Sequence, residues 1–423
     1  MIKFKDVKGN FQVSSIYYFF LGFCLMGRGI QYAVNSFFGS TIPMFFIVGV
    51  PLSIFAVLSI VGTNAFRINR GNFLILFFSF VAFGTSALFS GDFGSWLPFF
   101  KDFVQACLFL VLGSLFVIDF DRLLNTCKYY SLFSVVLYEY MIFSKSTGLK
   151  NYMGFGYNFL MIISFLMLYS AVYKKSILFV LTIFMSMQML LYGPRMGWLL
   201  TAILYLIVVM IKVKKIWWKI LLSLVSVVGA INYRALVLGV INLFINRTNT
   251  LTVTLYRLRQ TLEGNSTSEE LLGVRHILFS RSLELIKQYP LFGVGIGGFQ
   301  KKAGIPFSYP HNIILEIFLD FGIVLGTVFI IFIVWLIVKS LIDAKEKKLE
   351  SYLLLMIWLL LNFLRLFVSQ SYVCENIFFA VICLAMNSLN NVNLTAGKRL
   401  RSVADAASDL KRENFSFRQE FTP

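Results

Sequence analysis

Apolar residues in this chain fall in long, nearly unbroken runs separated by short polar breaks, and that pattern predicts helices that cross a bilayer. A crossing takes about 20 apolar residues, at 1.5 Å of rise each, to cover a hydrocarbon core of about 30 Å. Runs of this kind predict twelve spans, at 14–34, 41–62, 72–90, 95–118, 129–143, 155–173, 176–193, 195–211, 216–241, 311–338, 352–373 and 375–391. One break is long. Residues 242–310 predict a partly helical cap, in which SEELLGVRHILFSRSLELIKQY has helical spacing after the polar break GNSTS. Leu278, Leu283 and Ile286 are expected to form its apolar face, resting on the membrane. The chain thus divides into nine spans over 1–241, the cap over 242–310, three spans over 311–391 and a polar tail over 392–423. The expected fold class is an all-α polytopic integral membrane protein.

Composition agrees. The chain is 58% hydrophobic and 14% charged, where soluble domains carry about 25% charged residues. The net charge of +18 raises nucleic acid as a partner, but its placement excludes it. Lys3, Lys5 and Lys8, then Arg67/Arg70, Arg122/Lys128, Lys174/Lys175, Lys212/Lys214/Lys215, Lys345/Lys347/Lys348 and Lys398/Arg399/Arg401 all fall on one side of the predicted topology. By the positive-inside rule that side is cytoplasmic, with both termini in and the cap outside. The basic N-terminus resembles a signal peptide, but its apolar run ends in Gly-Arg-Gly rather than a small-x-small site, so an uncleaved first helix is expected. The five cysteines show no CxxC or other ligand spacing, which argues against a metal cluster or a disulfide framework.

Charges inside the spans narrow the picture further, because an ionisable group in hydrocarbon is costly and tends to mark a pathway or site. Arg28, Glu139, Arg234 and Arg365 come late in outward spans, and Lys101, Asp102, Glu316 and Asp320 come early in inward ones. All are therefore expected in the outer half. Each alone is either a snorkelling side chain or half of an ion pair between helices. Together they suggest a polar chamber opening outward beneath the basic cap. A transporter would place such charges through the full depth and carry internal repeats, neither of which this chain shows.

The most specific string is PLFGVGIGGF at 290–299, followed by PHNIILEIFLDFGIVLG at 310–326, with His311 where a glycine-punctuated loop enters an apolar helix. A glycine string alone would suggest a nucleotide loop, but no strand precedes it and it lies in the outer segment. The composite resembles the O-antigen ligase/polymerase superfamily, which includes Wzy-type polysaccharide polymerases and the ligases that join O-antigen to lipid A core. The resemblance implies a membrane glycosyltransferase whose donor is an oligosaccharide on undecaprenyl pyrophosphate. It needs no metal or nucleotide cofactor and works in the bacterial cytoplasmic (inner) membrane. It also implies membrane lipid, a flippase and a chain-length regulator as partners. Carried over residue by residue, it makes His311 the general base, Arg275 one half of a pyrophosphate clamp, and Arg195 the other. Arg195 stands in YGPRMG, where Pro194 and Met196 depart from the family's small residues. Arg365 is a candidate third cation, and Tyr309 a candidate for stacking on sugar. Gly295 and Gly297 either bring backbone N–H groups to phosphate or simply let the chain turn. Of the two activities, the form of PHNIILE and FGIVLG favours the polymerase over the ligase.

Overall fold

In hydrocarbon the backbone must satisfy its own hydrogen bonds, so apolar runs of this length become helices. The computed structural model describes residues 8–38, 69–90, 93–115, 118–144, 151–213 and 274–389, together with isolated positions, and the regular elements among them are helical. They are α1 (Lys8–Phe38), α2 (Arg70–Ser90), α3 (Phe93–Leu115), α4 (Phe120–Phe143), α5 (Tyr152–Val172), α6 (Ser176–Tyr192) and α7 (Arg195–Lys212). After a gap come α8 (Arg275–Gln288), α9 (Phe299–Ala303), α10 (Ile313–Glu346), α11 (Glu350–Phe363), a 3₁₀ turn (Leu364–Phe367) and α12 (Asn376–Leu389). Among the described residues, five segments are long and apolar enough to cross a membrane: α2, Trp96–Leu115 of α3, α5, α10, and α11 with its 3₁₀ turn. The chain is a membrane protein. The spans expected at 41–62 and 216–241, Arg234, most of the cap before Val274 and the tail after Leu389 lie outside the described residues.

Three expected elements are redrawn. The short fifth span is a full helix from Phe120, because the Asp119 side chain caps it by accepting from the Asp121 and Arg122 amides. The span expected to run to 373 stops at Phe363, and 368–375 cross the end of the bundle as a non-helical strap. In the cap helix α8, the buried face is Leu278, Ser282, Leu285 and Ile286, while Leu283 is exposed. That face packs on Val294, Phe299, Ala303 and Leu319, so it covers the protein's own loop.

Helix α5 is the centre of the bundle: 89% of its most apolar stretch is buried, against 17% for α2, whose side chains suit lipid contact. Polar pins fix the helices around it. Trp358 Nε1 donates to the Met161 carbonyl at 2.9 Å, and Asn362 Nδ2 to Ser164 Oγ at 3.0 Å, joining α11 to α5. At Gly113 an added Cβ would lie 2.1 Å from Cys383 Sγ, which sets how closely α3 and α12 approach.

At 34 residues, α10 is about 50 Å long, more than a bilayer core needs. It is broken at Gly322 (φ 74°, ψ 177°), where the helical bond from the Ile323 amide to the Leu319 carbonyl gives way. The loop 290–294 takes both freed groups. The Val294 amide donates to the Leu319 carbonyl at 2.5 Å, and the Ile323 amide donates to the Pro290 carbonyl at 2.8 Å. Backbone meets backbone on both sides: a Cβ on Gly293 would lie 2.2 Å from the Leu319 oxygen, and one on Gly322 would lie 2.2 Å from the Leu291 oxygen. The paired Pro-Leu-Phe-Gly and Asp-Phe-Gly strings of the sequence are thus the two halves of one splice.

Gly322→Ala adds both a left-handed strain and a backbone clash, and is expected to destabilise the protein by about 2 kcal/mol or more. Thermal unfolding in detergent checks this, with Gly84→Ala as control. Gly84 sits in α2 with nothing within 4 Å of its missing Cβ, so alanine there should leave the melting temperature unchanged or slightly raised.

Candidate functional site

The splice delivers the segment 305–312 to one end of the bundle, with His311 at its close. His311 has a left-handed backbone (φ 58°), uncommon for a residue with a side chain. The next residue secures that turn: the Asn312 side chain caps α10 by accepting from the Ile314 and Leu315 amides, and its Nδ2 donates to the Phe367 carbonyl at 3.3 Å. The imidazole is half-buried. Its Nδ1 lies 2.5 Å from the Ser369 carbonyl on the strap. A carbonyl can only accept, so Nδ1 carries the proton and Nε2 of the neutral ring carries the lone pair. Tyr309 packs edge-on against the imidazole at 4.4 Å and donates to the same carbonyl at 3.4 Å. Burial pushes its phenol well up.

Burial, opposed by the Ser369 bond and aided by the positive charge of Arg275, lowers the His311 pKa below its ordinary value. Arg275, at the start of α8, is thus close enough to act on the imidazole. Arg281, six residues on, is exposed and pairs with Glu284 at 2.8 Å.

Beneath His311, the first turns of α10 carry two buried acids, Glu316 and Asp320. Glu316 accepts from Ser371 Oγ and from the Tyr372 amide, and Asp320 Oδ2 accepts from Tyr372 Oη at 2.8 Å. With Gly297, Ser308, Tyr309 and Pro310 they line a cavity of ≈ 10 Å³, about the room of one water. Glu316 therefore does not touch His311. It holds the strap that does.

At the far end of the strap, Glu375 joins two arginines. Its Oε1 lies 2.8 Å from Arg28 Nη1 and its Oε2 lies 2.5 Å from Arg365 Nη2. The Glu375 side chain is 1% exposed and that of Arg365 5%, so the pairing is made in a dry setting. Arg28 also donates to the Cys374 carbonyl, and Asn376 donates to the Cys24 carbonyl, which ties the strap to α1. Arg365, expected among the substrate-binding cations, is thus committed to Glu375 and faces the Tyr157 ring at 5.9 Å.

Arg195 opens α7 and is exposed; Pro194 before it packs against Gly156, where a Cβ would lie 1.9 Å from the proline ring. Since Tyr157 follows Gly156 and faces Arg365, Arg195 belongs to the same end of the bundle as His311 and Arg275. The two glycines part company. Gly295 is pressed against α2, where a Cβ would lie 2.5 Å from the Ser86 carbonyl, so it serves close packing. Gly297 (φ 78°) lines the acid-bearing cavity. Sequence reasoning did not find Glu375 or the Ser369–Tyr372 strap. Their signal is the polar string Ser-Gln-Ser-Tyr in 369–372, which interrupts an otherwise apolar run.

A family model described as O-antigen ligase matches residues 177–331, a stretch that contains Arg195, Arg275 and His311. No curated protein matches the chain.

Two outcomes follow from this geometry. Removing the positive charge in Arg275→Gln favours the imidazolium, so the His311 titration midpoint should rise toward about 6.5, read by NMR of labelled histidine. An unmoved midpoint would mean that the charge of Arg275 is not felt at the ring. Glu375→Ala leaves two arginines facing each other with no counter-charge, and should cost about 3–5 kcal/mol in detergent unfolding.

Proposed function

We propose that the chain, which an O-antigen ligase family model matches over residues 177–331, belongs to the O-antigen ligase/polymerase superfamily and is a polysaccharide polymerase. It would join oligosaccharide repeat units carried on undecaprenyl pyrophosphate at the outer face of a bacterial cytoplasmic membrane. The observation that carries the reading is His311: its Nδ1 is fixed on the Ser369 carbonyl, and burial together with the positive charge of Arg275 lowers its pKa.

In the proposed reaction, a sugar hydroxyl of the acceptor attacks the anomeric carbon of the donor. The new carbon–oxygen bond forms as the bond from that carbon to the pyrophosphate oxygen breaks. The hydroxyl proton passes to His311 Nε2, and undecaprenyl pyrophosphate leaves with its electron pair. Guanidinium groups suit that leaving group, because they stay charged and grip phosphate oxygens in forked hydrogen bonds. We assign this role to Arg275 and Arg195. In this reading the His311 end of the bundle faces outward and the lysines at 345–348 face the cytoplasm, as the positive-inside rule asks. A flippase and a chain-length regulator are the proposed partners upstream and downstream.

A ligase that transfers the same donor to lipid A core is the second reading, favoured by the description of the matching family. The acceptor separates the two. Purified protein in detergent, given lipid-linked repeat units without lipid A, nucleotide or metal, should produce a ladder of products. His311→Ala should slow it by about 10²- to 10⁴-fold, the usual weight of a general base. Product formed only when lipid A core is added would replace polymerase by ligase.

A further inference from the structure

We propose that Glu316 is a positioning residue for His311: its carboxyl group holds the strap 369–372, and so keeps the Ser369 carbonyl where it fixes the imidazole tautomer. The inference rests on the reading of His311 as the base and adds to it the device that keeps the base in its active form.

The Ser369 carbonyl belongs to no helix, so no ladder of regular hydrogen bonds sets its position. Its upstream side is anchored, since the Val368 and Ser369 amides both donate to the Arg365 carbonyl, at 3.1 and 2.9 Å. Downstream, the grip on the two residues that follow Gln370 comes from acids on α10. Both Glu316 oxygens are used there, one by Ser371 Oγ and the other by the Tyr372 amide, and Asp320 takes the Tyr372 hydroxyl. Glu316 lies five residues beyond His311 on the helix that Asn312 caps. A closed ring results: from His311 along α10 to Glu316, across to Ser371, back along the strap to Ser369, and through its carbonyl to Nδ1. A carboxyl group 3% exposed, in a chain of this kind, is costly. Among the described residues it pairs with no arginine, and no hydrogen bond joins it to the imidazole. What it fixes is the geometry of a third group, as orienting partners of reactive histidines do.

The chain has only two histidines, His276 and His311, which makes the tautomer directly readable. Full-length protein carrying His276→Asn and ¹⁵N-labelled histidine, in lipid nanodiscs at a pH where the imidazole is neutral, leaves one ring in the spectrum. The expected wild-type pattern is a single tautomer with Nδ1 protonated and a lone-pair shift at Nε2. Glu316→Gln keeps the size of the side chain but turns an NH₂ group toward one of its two donors. The second tautomer should then appear, and kcat on the lipid-linked repeat unit should fall about 10- to 100-fold with KM little changed. Ser371→Ala removes one of the same bonds from the strap's side, should shift the tautomer in the same direction, and carries the test where Glu316→Gln does not fold. His311 remaining wholly Nδ1-protonated in the variants would overturn the proposal, and a loss of turnover without a tautomer change would mark Glu316 as merely structural. Failure of the wild type to use the lipid-linked donor would instead strike the functional reading, and the tautomer comparison would still decide the role of Glu316.

Discussion

The break in α10 is the constraint on which the rest of the site depends. A continuous helix would satisfy the Leu319 carbonyl and the Ile323 amide internally and leave the loop 290–294 with nothing to hold. At the break the Leu319 carbonyl and the Ile323 amide each find a partner in the loop, so neither is left unpaired and the chain gains a fixed junction between a connecting segment and a membrane helix. The connecting segment that carries His311 is placed from there. The loop continues into α9 and the 305–312 segment, α8 lays its apolar face over Val294 and Leu319, and Arg275 at the start of α8 comes within range of the imidazole. Glycine at 293 and 322 is required because two backbones touch at each position.

Buried charge at the same end is arranged for order. Arg28, Glu375 and Arg365 come from three separate parts of the chain, and their pairing fixes α1, the strap and the 3₁₀ turn against one another. Such a group contributes less to stability than its Coulomb energy suggests, since three ions have lost water. Loss of one partner is nevertheless severe. Commitment of Arg365 to Glu375 also divides the cations of this end into a structural pair and a second pair, Arg195 and Arg275, that is not part of that triad.

The sequence made some of this legible. Hydrophobic runs marked the helices because a bilayer leaves no other solution for the backbone, and the boundaries at Tyr152, Ser176 and Arg195 fall within a few residues of the pattern. His311, Arg275 and the glycine loop could be found from one composite string. The non-local partners could not. Nothing in the local spacing says that Glu316 meets Ser371, 55 residues away, or that Glu375 reaches Arg28, 347 residues away. Apolar periodicity also hid the end of α11 at Phe363, because Leu364, Leu366, Phe367 and Val368 continue the run up to the polar string, and the strap stays non-helical through side-chain bonds to distant residues. Gly295 is a case of the same kind. A glycine beside a phosphate and a glycine beside a helix backbone look alike until the neighbour is known.

The placement of Arg275 has a consequence for the proposed reaction that goes beyond gripping a leaving group. Its charge joins burial in lowering the His311 pKa, which in the proposed reaction makes the ring available as a proton acceptor but a reluctant one. An anionic pyrophosphate seated against that arginine would offset its field at the imidazole. The proton affinity of His311 would then rise when the donor is in place, and the imidazolium formed on attack would have a counter-charge beside it. Base strength would thus be coupled to donor binding through one electrostatic contact. Such coupling restrains the base while an acceptor is present without a donor, when proton removal from a sugar hydroxyl would serve no bond formation. The tautomer lock complements it. In the proposed reaction the Ser369 carbonyl would decide which nitrogen can take the proton, and the charge at Arg275 would decide when it does.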